Sequence, residues 1–277
     1  MSTEMLITKA GPSRWYQLDR SRWYDAGLGI GSVIALFVLW AVAAVITNHH
    51  HAGLVPTPVQ VAKTLANLTT HKFAGHTLPM HVLSSLSRWG LGFVFAIVLG
   101  VPLGILFGAI RLVREAVSPI FEFLRYIPPF AWIPPAVLWF GSGQTSQALI
   151  VFIAAFPAIV ISTQVGASNV DPALLRASRT LGAGALRRLG EVITPISLPG
   201  VFAGVRVAAS NGWMALIAAE LIGGRVGVGF LIAQGEDNGA IDIVMVGMVA
   251  IAVTAAILDL VVIALSKRLT RWRKSAA

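Results

Sequence analysis

Residues 126–170 read YIPPFAWIPPAVLWFGSGQTSQALIVFIAAFPAIVISTQVGASNV, and none of these 45 side chains is charged. A helix that crosses a bilayer needs about 20 largely apolar residues, so this stretch is long enough for two crossings. The segment 141–147 in its middle, Gly-Ser-Gly-Gln-Thr-Ser-Gln, is rich in turn-forming residues. We therefore expect two membrane-spanning helices, at 126–141 and 147–165, joined by a tight loop.

The composition of the whole chain indicates an integral membrane protein. Of its 277 residues, 56% are hydrophobic and 12% are charged, whereas soluble proteins carry about 25% charged residues. The sequence contains no cysteine, which excludes disulfide scaffolds, thiolate metal sites and cysteine nucleophiles. Further apolar runs bring the expected all-α fold to six spans, at about 26–46, 85–110, 126–141, 147–165, 199–222 and 241–265.

The distribution of Lys and Arg predicts how these spans are oriented. Six spans place residues 1–25, the loops 111–126 and 166–198, and the C-terminal tail on one side, with sixteen Lys and Arg. The opposite side receives three, namely Lys63, Lys72 and Arg225. Cytoplasmic loops carry the excess of positive charge, so we expect both termini in the cytoplasm.

The two expected parts of the chain differ in character. Residues 1–25 combine aromatic and basic side chains, which favour the lipid headgroup region, and no cleavable signal is expected there. Residues 26–277 form a single transmembrane domain. The net charge of +9 is not arranged as a basic stripe with interleaved aromatic residues, so we expect no nucleic-acid partner.

The cytoplasmic loop 166–198 carries helix signals of its own. Asp171 is a suitable N-cap, Pro172 suits a first helical turn, and leucines recur at helical spacing beyond them. Gly182 and Gly184 mark a break between two short helices. The apolar and small residues of this loop require a covering surface, which is either a partner protein or the membrane itself.

This loop resembles the signature of the transmembrane permease subunits of binding-protein-dependent ABC importers. The signature reads Glu-Ala-Ala, three residues, Gly, nine residues, then Ile-x-Leu-Pro. The chain keeps that spacing with residues 176–178 (Arg-Ala-Ser), Gly182 and residues 192–195 (Val-Ile-Thr-Pro). Arg176 and Thr194 depart from the pattern, and any role that depends on the acidic residue of the signature is absent at Arg176.

The resemblance extends over nearly the whole chain and is greatest to the taurine, alkanesulfonate and nitrate importers. It rests on residues 84–93 (SSLSRWGLGF), 126–135 (YIPPFAWIPP), 139–143 (WFGSG), 213–222 (WMALIAAELI) and 227–230 (GVGF). The spacing of these segments is specific for the permease family, and it indicates the subgroup more strongly than the individual solute.

The resemblance implies a type I ABC importer permease fold and a set of partners. Two copies of the chain would form the translocation pathway, with two ATP-binding cassette subunits below them and an extracytoplasmic substrate-binding protein above. ATP and magnesium would bind the ATPase subunits, so this chain would be a transport subunit and not itself an enzyme. The implied ATPase-coupling residues are Arg176, Ala177, Ser178, Thr180, Leu181, Gly182 and Pro195.

Charged and polar residues inside spans are the candidates for the solute pathway. Arg88 and Glu220 are expected near the outer leaflet, either as an ion pair between spans two and five or as pathway residues. Arg206 is expected to be a pathway residue or an interface anchor. The family lines its pathway near Asn211, Trp213 and Met214, where packing is the alternative role. The prolines that break span three are gate candidates: Pro128, Pro129, Pro134 and Pro135.

Other functional classes fit the sequence less well. Ser142 between two glycines suggests an intramembrane hydrolase, but no predicted span supplies a histidine as base. The run His49–His51 lacks the neighbouring carboxylates of a closed metal site, so no metal site is predicted. An ion-coupled carrier would require internal repeats and would have no use for an ATPase-docking loop.

Among importer solutes, taurine and other alkanesulfonates come first, followed by nitrate and pyrimidine-type vitamin precursors.

Overall fold

The computed structural model describes residues 22–50 and 54–269, so most of the predicted interfacial segment 1–25 lies outside the described residues. Within the described ranges the chain is helical, with an isolated β-bridge between Phe73 and His76. Two compact units are distinguished, residues 1–58 and 59–277.

The first unit contains one long helix, α1 (Arg22–His50). The side chain of Asn48 donates to the carbonyl oxygen of Val55 at 2.8 Å and accepts from its backbone N–H at 3.3 Å. These two bonds join the last turn of α1 to Val55.

The second unit contains ten further helices within the described residues. They are α2 (Pro58–Thr70), α3 (Leu78–Ala109), α4 (Arg111–Arg125), α5 (Ile133–Phe140), α6 (Gln144–Ser168), α7 (Pro172–Thr180), α8 (Ala185–Arg188), α9 (Thr194–Gly223), α10 (Val228–Asp237) and α11 (Ile241–Leu269). A 3-10 turn (Pro129–Trp132) precedes α5, and a π-helical turn (Leu189–Ile193) joins α8 to α9.

Five helical segments of the described chain are long and apolar enough to cross a membrane. They are Gly27–His49, Leu78–Ala109, Gln144–Ser168, Ala185–Gly223 and Ile241–Leu269. Each contains the core of a predicted span, and most extend it by several residues at one or both ends. The chain is therefore a multi-pass membrane protein.

The predicted third span, 126–141, differs from the structure. Its residues form only the 3-10 turn and α5, and the apolar helical stretch Pro129–Phe140 has 12 residues, which is about 18 Å of helix at 1.5 Å per residue. Pro128 and Pro129 prevent one continuous helix, because proline has no backbone N–H and disfavours helical geometry at the residue before it.

The helix α4, which the sequence places in a cytoplasmic loop, comes directly before this stretch and packs on the bundle. Phe121 of α4 packs edge-to-face on Phe107 of α3 and also on Phe156 of α6. Farther along, Ile133 of α5 packs with Ile150 of α6. The segment 111–140 thus runs antiparallel to α6 and is interrupted between its two helices.

Glycines allow α3, α6 and α9 to approach closely. A methyl group at Gly104 of α3 would lie 2.6 Å from Cβ of Thr163, and one at Gly92 would lie 2.2 Å from the carbonyl oxygen of Ala148. On the other side of α6, Gly166 faces Gly200 of α9. Small residues at helix contacts are the usual basis of packing between membrane helices, where hydrophobic burial contributes little.

Candidate functional site

Residues 169–193, between α6 and α9, form a small helical projection, here called the knob, which exposes two leucines. Asp171 caps α7 by accepting the backbone N–H of Ala173 at 2.7 Å, as the sequence predicts. Gly182 ends that helix with a positive φ of 78°, a conformation that costs glycine little. Leu181 is 86% exposed and Leu186 is 85% exposed. Leu181 at the end of α7 and Leu186 in α8 are thus both open to contact with a partner.

The base of the knob is fixed to the bundle. Leu175 of α7 and Leu189 of the π-helical turn pack on a buried cluster that contains Ile105 of α3 and Ala167 of α6. The hydroxyl of Ser178 is turned inward and donates to the carbonyl oxygen of Leu175 at 2.9 Å. The base of the knob is therefore packed against α3 and α6.

The predicted coupling residues occupy both faces of this knob. Arg176, Ala177, Thr180, Leu181 and Gly182 are exposed, whereas Ser178 is buried and Pro195 is half-buried in the first turn of α9. The two short helices that the sequence predicts are present as α7 and α8. The second of them continues through the π-helical turn into α9.

Glu220 and Arg88 form a buried ion pair between α3 and α9, one of the two roles that the sequence suggests for them. Nη1 of Arg88 lies 3.0 Å from Oε1 of Glu220, whose side chain is fully buried. Glu220 also accepts from the hydroxyl of Ser85 at 2.8 Å and from the backbone N–H of Gly229 at 3.0 Å. Full hydrogen bonding of this kind is what makes a buried carboxylate tolerable.

The same network fixes the start of α10. The N–H of Val228 donates to the hydroxyl of Ser85 at 3.0 Å, and the N–H of Gly227 donates to Nδ1 of His81 at 3.1 Å. Gly227 has a φ of 135°, and a methyl group there would lie 2.3 Å from Oε1 of Glu220. The network therefore joins α3, α9 and α10 and requires a glycine at 227.

Arg206 and Trp213, two predicted pathway residues, are engaged with α11. Nε and Nη2 of Arg206 donate to the two carboxylate oxygens of Asp259 at 2.6 and 2.9 Å. Trp213 is 2% exposed, and its indole N–H donates to the carbonyl oxygen of Ile251 at 3.3 Å. The indole donor of Trp213 is thus used within the protomer, and a pathway role for these residues stays a prediction.

A cavity of about 530 Å³ lies between the interrupted segment 111–140, α6 and α9. Asn211 lines it from α9, and Pro129 lines it at the break before α5. Met214 is 72% exposed one turn away on α9. The other gate candidates lie near the break, with Pro128 before the 3-10 turn and Pro134 and Pro135 in the first turn of α5.

Two further residues that line this cavity, Arg125 and Trp132, are not among the site residues that the sequence predicts. Arg125 was assigned to a cytoplasmic loop, yet it lines the cavity beside Trp132. The signal that could have found it is the spacing of Val113, Val117 and Phe121, whose i, i+4, i+8 pattern indicates a buried helix face in α4.

Comparison with known proteins decides the family. The family model described as "Binding-protein-dependent transport system inner membrane component" matches residues 100–275. The chain belongs to this family. The match covers the end of α3 and α4 to α11, including the knob, the cavity and the Glu220 side of the buried network.

Curated relatives of the permease extend the similarity toward its N-terminus. It is 35% identical over 245 residues to the taurine transport system permease protein TauC of Escherichia coli, covering 88% of this chain and 89% of TauC. It is 32% identical to the nitrate import permease protein NrtB of Synechocystis, covering 83% and 85%. It is 31% identical to the putative aliphatic sulfonates transport permease protein SsuC of Bacillus subtilis, covering 81% and 80%.

A solved structure supports the fold. The permease matches a chain of the inward-facing MetNI methionine ABC transporter with a TM-score of 0.60 and 20% identity, over 70% of this chain and 96% of that one. At this identity the match shows the fold alone. The sequence-based assignment to the ABC importer permeases of the taurine, sulfonate and nitrate subgroup is confirmed by the family model and the three relatives.

Proposed function

We propose that this permease is the membrane subunit of an ATP-driven importer in the bacterial inner membrane. Two copies form the pathway for a small anionic solute, which is taurine or another alkanesulfonate. Nitrate is the second candidate, since NrtB is nearly as similar as the sulfonate relatives. The observation that carries the proposal is the exposed knob with a fixed base, on a chain with 35% identity to TauC.

Each part of the knob has a role in this mechanism. Leu181 and Leu186 enter a groove of an ATP-binding cassette subunit, which holds ATP and magnesium. When the two ATPase subunits close, the knobs move with them, and the packing of Leu175 transmits the displacement to the bundle.

The six crossings comprise the five long helices and the interrupted segment 111–140, and both termini are cytoplasmic.

Co-purification tests the docking role of the knob. The tagged chain is purified in mild detergent from its native host, with partners identified by mass spectrometry, as wild type, Leu181→Ser and Leu138→Ser. Leu181 and Leu138 are 86% and 84% exposed, so neither substitution removes packing within the protomer. We expect an ATPase subunit with the wild type and with Leu138→Ser, and a large loss of it with Leu181→Ser. An intact chain that retains no ATPase would contradict the proposal and favour an ion-coupled carrier.

A further inference from the structure

One buried histidine, His81, joins two separate segments to the first turn of α3. Its side chain is fully buried. Nε2 of the ring lies 3.2 Å from the carbonyl oxygen of Phe73, in the turn 73–76 that comes before α3. Nδ1 lies 3.1 Å from the backbone nitrogen of Gly227, directly before α10. The imidazole is therefore a bridge between the turn 73–76 and the start of α10.

These two hydrogen bonds allow only one protonation state of His81. The backbone N–H of Gly227 can only donate, so Nδ1 presents its lone pair. The carbonyl oxygen of Phe73 can only accept, so Nε2 carries the hydrogen. A second proton on the ring would fall on Nδ1 and turn this acceptor into a donor that points at another donor. Protonation of His81 is thus incompatible with its bond to Gly227.

The charged and titratable neighbours of His81 offer no replacement for that bond. In the turn, the ring of His76 lies edge-on to it with centroids 5.7 Å apart, and Nδ1 of His76 is buried without a hydrogen-bond partner among the described residues. Farther along α3, Arg88 is paired with Glu220 of α9. From α10 the ring meets Phe230, which does not titrate. Within the described chain, none of these neighbours is an unpaired carboxylate that could accept a new N–H.

The start of α10 is held by three side chains, of which the imidazole is sensitive to mild acid. The successive N–H groups of residues 227–229 donate to His81, to the hydroxyl of Ser85 at 3.0 Å and to the carboxylate of Glu220 at 3.0 Å. A hydroxyl keeps its lone pairs at any ordinary pH, whereas an imidazole ordinarily titrates near about pH 6.5. Acid therefore acts on the first of the three bonds.

We propose that His81 is an acid-sensitive latch between the turn 73–76 and α10. The neutral ring holds both segments on α3. In acid the protonated ring releases Gly227, and the start of α10 separates from α3. On the topology proposed above, this end of the bundle faces the outside of the cell, so the latch responds to the external pH. The latch is a property of the chain itself and goes beyond the importer function.

The size of the effect follows from the linkage between protonation and opening. The released ring takes up a proton in the ordinary imidazole range, near about pH 6.5, whereas the latched ring has no place for one. The latch is therefore fully closed above this range and weakens as the pH falls through it. The open fraction rises about tenfold between about pH 7.5 and about pH 5.5.

Cysteine labelling measures the opening of the start of α10. The sequence has no cysteine, and Val228 is fully buried, so Val228→Cys reports the exposure of this segment to a maleimide. The purified full-length permease in lipid nanodiscs is labelled at both pH values. Each rate is divided by that of Lys72→Cys, an exposed position, because acid lowers the thiolate fraction of any cysteine.

Histidine substitutions in the Val228→Cys protein identify the sensor. His81→Gln and His81→Asn each supply an amide that donates and accepts without titrating, at the Nε2 and the Nδ1 end of the ring respectively. His76→Gln tests the neighbouring ring. The matched control is His71→Gln, an exposed histidine of the same loop whose Nδ1 lies 3.3 Å from the carbonyl oxygen of Asn67.

We expect the corrected labelling rate of Val228→Cys to rise about tenfold in acid, and to do so with His71→Gln and with His76→Gln as well. With His81→Gln and His81→Asn the rate should no longer depend on pH. It is slow at both pH values if the amide holds Gly227, and fast at both if it does not, and either result assigns the latch to the imidazole.

Three results would overturn the latch. The first is a labelling rate that does not rise in acid while His81 is in place. The second is a rise that persists in both His81→Gln and His81→Asn, because another group would then respond to the proton. The third is a rise that disappears with His76→Gln alone, which would assign the switch to the neighbouring ring.

Discussion

Glu220 shows how one buried carboxylate organises the end of three helices. Its oxygens accept from Ser85, Arg88 and Gly229, and the first residue of α10 bonds to the same cluster through the N–H of Val228. Removing one partner of a buried pair leaves an uncompensated charge in an apolar setting, which is more damaging than the pair itself is stabilising.

We therefore expect Glu220→Ala to destabilise the permease strongly, by about 3–5 kcal/mol. Thermal unfolding in detergent measures the effect, with Glu115→Ala as the control because Glu115 forms an exposed ion pair with Arg111. The control should unfold near the wild-type temperature. Equal melting temperatures for all three proteins would show that the buried network does not support the fold.

The residues of this network were predicted only in part. Two isolated charges inside spans, Arg88 and Glu220, predict a pair because an unpaired ion is costly in lipid. His81 and Ser85 carry no such signal, since a single histidine or serine near a helix end fits many environments. Their role depends on where the backbone of residues 227–229 lies, and the hydropathy pattern does not encode that.

Substitution by alanine should have opposite effects on stability at two glycines of α3, because only one of them faces α6 closely. Gly104→Ala places a methyl group 2.6 Å from Cβ of Thr163, whereas at Gly90 no atom lies within 4 Å. Overpacking costs about 1–3 kcal/mol, while alanine at an open helical position is favoured over glycine by about 1 kcal/mol. Thermal unfolding should show Gly104→Ala below the wild type and Gly90→Ala at or above it. The reverse order would contradict this packing of α3 on α6.

The anchoring of α7 predicts that docking and coupling can be separated. Leu175→Ala removes packing at the base of the knob and leaves the exposed Leu181 and Leu186 in place. We expect the ATPase still to co-purify, while transport per ATP hydrolysed falls several-fold because the knob moves without the bundle. Leu181→Ser gives the opposite result, with loss of the ATPase itself. A Leu175→Ala protein with full coupling would show that the force follows another route.

The elements themselves were largely predictable from hydropathy. Five of the six expected spans are present as long apolar helices because an uncharged run of this length has few alternatives. The sixth, 126–141, stays a prediction, because the apolar helical stretch found there, Pro129–Phe140, has only 12 residues. The charged residues of α4, among them Arg111, Glu115, Glu122 and Arg125, suggested a loop, although they lie on one face of a helix whose other face packs on α3 and α6.

For the whole molecule, the interrupted segment determines the topology. If 111–140 crosses the membrane, three crossings separate the loop at Lys72 from the knob at Thr180, and the two lie on opposite sides. The sequence has no cysteine, so Lys72→Cys and Thr180→Cys each provide a single label site. A membrane-impermeant maleimide applied to intact spheroplasts should label Lys72→Cys alone. Labelling of both from outside would mean that the segment does not cross.

The most direct test of the importer function is uptake by the reconstituted complex. Proteoliposomes that contain the permease and its co-purified ATPase are given the binding protein and radiolabelled taurine on the outside. We expect uptake that requires both internal ATP and the binding protein, and that is abolished by Leu181→Ser. Uptake driven by an ion gradient in the absence of ATP would contradict the importer and identify the chain as a carrier.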